Sequence, residues 1–153
     1  MSAHRHYQQG FTLLEVMIAS FVLSVGLLGV AGLQGVSLKM TQGSYLRLQA
    51  VNLSYEIIDA MRANRTAASA AGYNGSVTAT CNSALTYSVT STVAKADLTI
   101  WGNRLACLLP NGSGTIAQTG NLFTVRVTWN DTRFDGQTDS ADTYHSFNFT
   151  TEL

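Results

Sequence analysis

Charge is scarce in this chain. Asp, Glu, Lys and Arg make up 12% of its 153 residues, nine basic against nine acidic, for a formal charge of zero. No run of like charges occurs, which argues against a nucleic-acid binder held by a basic surface. Cysteine is nearly absent too: Cys81 and Cys107 are the only two, and they form no CxxC pair. Nor is there a phosphate-binding glycine loop, a nucleophile elbow or a pair of carboxylates spaced for acid–base work, so no sequence feature favours an enzyme. What is abundant is Thr, Ser, Asn and Gly, a composition common in exported β-rich domains. With its apolar N-terminus set aside, the chain is sized for one small domain.

That N-terminus is the most informative stretch. A short polar leader, Met1 to Gly10 with His4, Arg5 and His6, precedes an apolar tract from Gly10 to Leu38. The tract is long enough to cross a bilayer as a helix at about 1.5 Å per residue. No small-x-small cleavage site follows it, as an ordinary secretory signal would require. Glu15 is the only Asp, Glu, Lys or Arg between Arg5 and Lys39. A carboxylate inside a membrane helix costs about 2.5 to 3.5 kcal/mol even on a forgiving scale, so Glu15 marks a functional position. Gly26, Gly29, Gly32 and Gly35 recur every third residue; this is not the GxxxG of close membrane dimers, and it reads as a tolerated or softened membrane helix.

The residues around the end of the leader, Gly10, Phe11, Thr12, Leu13, Leu14 and Glu15, resemble the class III signal of type IV pilins and pseudopilins. The resemblance implies that a prepilin peptidase cuts between Gly10 and Phe11, that Phe11 becomes an N-methylated N-terminus, and that Glu15, fifth in the mature chain, docks subunits in a filament. Cleavage would strand an α-ammonium on Phe11 in apolar surroundings, where two opposite charges are tolerable only as a pair. Four residues separate Phe11 from Glu15, so a helix through both would set them on one face. The partner of Glu15 is then its own Phe11 or that of a staggered neighbour, in which case docking selects a register. Further stretches, Leu23 to Gln34, Leu48 to Arg65, Leu98 to Gly114 and Phe123 to Arg133, are similar to the minor pilins called type IV pilus modification protein PilV.

Beyond the tract, Leu46, Ala50, Leu53, Ile57 and Met61 fall at spacings of four and three, flanked by Val51, Tyr55 and Ile58, with Arg47, Asn52, Glu56, Asp59 and Arg62 opposite. This predicts an amphipathic continuation of the helix over Ser44 to Arg65, its apolar face on a sheet. Asn64 and the small-residue run Thr66 to Gly72 end it. Strands are predicted at Ser76 to Thr80, Leu85 to Val93, Leu122 to Trp129 and Tyr144 to Thr151. Between them a short helix covers Ala94 to Cys107, with Leu98, Trp101, Leu105 and Leu108 at helical spacing and Pro110 blocking its extension. The expected fold is α+β and type IV pilin-like: a long N-terminal helix, membrane-spanning in its first half, packed on a small antiparallel sheet. Its expected segments are a leader (1–10), a transmembrane or filament-core helix (11–38), an amphipathic continuation (39–66) and a periplasmic β-rich head (67–153).

An even cysteine pair in a domain expected outside the cytoplasm reads first as a disulfide between Cys81 and Cys107, with two free core thiols as the alternative. Such a bridge would contribute about 3 to 4 kcal/mol. Asp131, Asp135, Asp139 and Asp142 offer carboxylates to a hard cation, but their spacing is not that of an EF-hand loop and suits hairpin chemistry better. His4 and His6 lie in the leader, and His145 sits in a strand pattern. No metal, cofactor or catalytic residue is expected. The resemblance implies a minor pilin, held in the inner membrane with its head in the periplasm and later part of the pilus fibre. Its implied partners are other minor pilins, the major pilin, the prepilin peptidase and the inner-membrane assembly platform. The alternatives are a type II secretion pseudopilin and a signal-anchored periplasmic enzyme or receptor.

Overall fold

The computed structural model describes residues 10–131 and 144–153. The chain forms two compact units, divided between Met40 and Thr41. In the first, every described residue is exposed. Helix α1 (Leu13–Ala63) begins there, and by length and composition it can cross a membrane. Ser20 and Ser24 turn their hydroxyls onto the carbonyls of Met17 and Ser20, at 2.9 and 2.7 Å, which satisfies both groups without water.

The second unit holds the rest of α1 and a head of α2 (Arg65–Ser69), β1 (Gly75–Thr78), α3 (Val93–Leu108), β2 (Ser113–Thr119), β3 (Leu122–Asn130) and β4 (Tyr144–Glu152). The four strands make one antiparallel sheet in chain order, β1-β2-β3-β4. The apolar face of α1 is buried through Leu46, Ala50, Leu53, Ile57, Ile58 and Met61. Against it lie Phe123, Val125, Val127 and Trp129, alternate residues of β3 that share one face of the sheet. Phe147 and Phe149 of β4 are partly buried against the same core. Ser54, which the apolar periodicity passes over, is also buried; its hydroxyl bonds to Ala50 O at 2.8 Å.

Trp101 of α3 joins these layers. It is 1% exposed, and its Nε1 donates to the Leu53 carbonyl of α1 at 2.9 Å. Its ring occupies the space that a side chain at Gly114 of β2 would need. Glycine at 114 is therefore a packing requirement. Leu105, also of α3, crowds the same position and is fully buried. Leu108 is 44% exposed, and its expected core role falls to Leu109, just before Pro110.

Three elements differ from the sequence expectation. Leu85 to Thr92 is not a strand: Leu85, Tyr87 and Val89 are all exposed, so the segment lacks the half-buried face that makes alternation favourable. It runs as an irregular strap to Thr92, whose Oγ1 caps α3 by accepting from Lys95 N–H at 3.3 Å. Conversely, Ser113 to Thr119 is a strand that its small polar residues conceal, since only Gly114 and Ile116 of β2 are buried. The residues expected to end α1 form the short helix α2, because alanine is the strongest helix former even in a run that follows a helix stop.

The strap is tied to α3 by the disulfide Cys81–Cys107, with Cα atoms 4.7 Å apart. Asn82 and Asn103 add a reciprocal pair of hydrogen bonds at 2.7 and 3.0 Å. Further along, the Asp97 carboxylate of α3 accepts from Tyr87 OH at 3.0 Å and from Tyr73 OH at 2.6 Å. Tyr73 in turn accepts from Asn64 Nδ2, at the end of α1, at 3.3 Å.

Gly114→Ala is expected to cost about 2 kcal/mol or more by forcing Trp101 from its seat, read as a lower denaturant midpoint of the full chain in detergent. A pH effect follows from Tyr73. Burial, reinforced by donation to Asp97, raises its pKa from 10.0 to about 12. Between those values the folded chain keeps a proton that the unfolded chain releases. The contribution is therefore full below pH 10 and lost as pH rises through the folded value. Stability is expected to fall by on the order of 2 kcal/mol across that window, and Tyr73→Phe should flatten most of the decline.

Candidate processing and docking site

The candidate site lies wholly in the first unit. Gly10 is exposed, with no atom of the described residues within 4 Å of the position a Cβ would take, and Phe11 is 84% exposed. Both precede the first helical residue, Leu13, so the Gly10–Phe11 bond lies in non-helical chain. The bond is therefore exposed and outside regular structure, where proteolytic sites concentrate.

Thr12 caps the helix. Its Oγ1 accepts from Glu15 N–H at 3.3 Å, and its carbonyl accepts from Glu15 and Val16 N–H at 3.1 and 3.4 Å. Thr12 and Glu15 therefore stand at the two ends of an S/T-x-x-E capping sequence, with Glu15 in the first turn where the helix macrodipole favours an anion. This second role for Glu15 was legible in the spacing itself. The same cap corrects one expectation: Phe11 lies outside the helix in the uncleaved chain, so Phe11 and Glu15 are not set on one helical face. Below the cap, no side chain among the described residues contacts the Cβ positions of Gly26, Gly29, Gly32 or Gly35.

The other candidate residues separate from this site. Cys81 and Cys107 form the disulfide of the head. Asp131 is buried at the end of β3, 3% exposed. Asp135, Asp139, Asp142, His4 and His6 lie outside the described residues. No group of three or more His, Cys, Asp or Glu able to hold a metal occurs among the described residues.

Comparison with known proteins adds one finding at this site. Residues 5–31 match the family described as the prokaryotic N-terminal methylation motif. The motif indicates a type IV pilin-like prepilin, of a pilus or a pseudopilus, and so a structural protein. With the apolar helix it supports membrane anchoring and assembly with other pilin-type subunits. No curated protein and no solved structure matches the chain.

Thr12→Ala is expected to remove about 1 kcal/mol of capping. Amide exchange at Glu15 and Val16 in the detergent-embedded chain should then accelerate about fivefold, with residues below Ser24 unaffected.

Proposed function

We propose that this protein is a minor pilin of the type IV pilus, similar to the PilV modification proteins, made as an inner-membrane prepilin and cut between Gly10 and Phe11. Phe11 is then N-methylated, and the subunit joins other minor pilins and the major pilin to prime or cap the fibre. Residues 1–10 serve as leader, 11–38 as the membrane and filament-core helix, 39–66 as its amphipathic continuation and 67–153 as the periplasmic head. The observation that carries this reading is the conjunction at the N-terminus: an exposed Gly10–Phe11 bond before the helix cap, then Glu15 alone in an apolar tract. Resemblance of the later stretches favours a minor pilin. Because the motif at 5–31 is shared with pseudopilins, a type II secretion subunit is the second reading.

In this reading Glu15 selects partners. A carboxylate in an apolar helix bundle is stabilised only where an ammonium meets it, so subunits dock where the Phe11 amine of one chain reaches Glu15 of the same or the next.

Expression with and without a prepilin peptidase, followed by N-terminal mass mapping, tests the processing step. A methylated Phe11 terminus that depends on the peptidase is expected; an intact leader, or cleavage behind the apolar tract, would overturn the reading. Glu15→Val should leave insertion and cleavage intact and lower the amount of subunit recovered in sheared pili by about tenfold or more, the factor lost with one favourable charge contact. Unchanged recovery would remove Glu15 from docking.

A further inference from the structure

The sheet stops short of the helix that covers it. β1 pairs with β2 alone, so its outer edge has no strand partner among the described residues. Over β2, α3 sets Trp101 and Leu105 against Gly114; over β1, Val77 fills the space that a Cβ on Gly102 would take. The flanking positions of α3, Lys95, Leu98 and Thr99, line with Ser76, Val77 and Thr78 an open groove of about 300 Å³.

Three features of this groove suit an added strand. Its floor is a free β-edge, whose unpaired N–H and C=O groups are a template for another extended chain. One wall holds Leu98, in helical phase with Trp101 and Leu105, yet only partly buried against the core cluster. The rim carries Lys95, which has no ion pair among the described residues. A strand laid on β1 would point every second side chain toward α3, covering Leu98 with one and meeting the lysine with the next of that set.

We infer that the β1–α3 groove receives an extended strand from a neighbouring subunit, bonded to the β1 edge, with an aliphatic side chain on Leu98 and a carboxylate facing Lys95. The identity of the neighbour rests on the filament reading; the groove itself does not. The free edge of β4 in a second copy does not supply this strand. Phe147 and Phe149 already pack on their own core, and Glu152 points to the opposite face of the strand.

The test uses the full chain in detergent micelles and two capped hexapeptides, acetyl-Thr-Val-Thr-Glu-Thr-Val-amide, which sets Val and Glu on one face, and its counterpart with Lys in place of Glu. The acidic peptide is expected to slow amide exchange within Ser76 to Thr78 by about tenfold or more, and the basic one to slow it far less. Lys95→Glu, shown to be folded by an unchanged amide spectrum elsewhere, should reverse that preference. No slowing at β1, equal response to both peptides, protection at β4 instead, or an unreversed preference in Lys95→Glu would each overturn the inference. Protection at β1 that grows with protein concentration and needs no peptide would assign the groove to a second copy and overturn it as well. The leader and Glu15 take no part in this measurement, so its failure and a failure of processing at Gly10 are told apart.

Discussion

One hydrogen bond organises the head: the Trp101 indole N–H on the Leu53 carbonyl. Burying an indole is favourable only if its N–H finds an acceptor, and here the acceptor is the backbone of a different helix, 48 residues away in sequence. The bond therefore sets α3 across α1, and the ring can reach α1 only because β2 presents glycine at 114. Gly114 pairs with Val77 on one side and Val127 on the other, so it also stands in the middle of the sheet. Three layers thus meet at one side chain. The Arg104–Glu56 ion pair spans the same two helices at 2.6 Å, but both side chains are at least a third exposed, so it adds little.

With α3 placed, the remaining head is a matter of tethers. The strap between β1 and α3 buries almost nothing, and its conformation depends on the disulfide, the Asn82–Asn103 pair and the Tyr87–Asp97 bond. A segment without a buried face has no hydrophobic term to offset its ordering entropy, and a cross-link limits that entropy from the unfolded side.

The same distinction explains how much could be read in advance. The α1 stripe, the alternation of β3 and the helical phase of Trp101 and Leu105 were legible because each buries large apolar side chains at a regular period. Leu85 to Thr92 misled because Thr, Val and Tyr favour strands only where a neighbour and a core exist to receive them. β2 was missed because its buried positions are a glycine and a single isoleucine. A signal for it was present: Gly120 and Asn121 close a two-residue hairpin between Thr119 and Leu122, with Gly120 at φ 63°, the first-position glycine that such turns demand. At the processing site the motif, the apolar tract and the T-x-x-E spacing of the Thr12 cap were all legible, whereas the place of Phe11 outside the helix is a property of the backbone that spacing alone does not carry.

That cap sharpens what Glu15 does. A carboxylate in the first turn of a helix gains from the macrodipole, by about 0.3 to 1 kcal/mol and up to roughly 2 in favourable geometry. Its insertion into hydrocarbon costs about 2.5 to 3.5 kcal/mol or more. The cap and dipole therefore offset part of the penalty and leave a remainder. On the proposed reading that remainder gives the carboxylate its use. A fully compensated Glu15 would be indifferent to its neighbours. An uncompensated one would push the helix end out of the membrane. At this intermediate value a subunit of the proposed kind would reside in the bilayer and still gain when an α-ammonium arrived. The proposed cleavage after Gly10 would supply that charge four residues away, on Phe11, which lies outside the helix in the uncleaved chain.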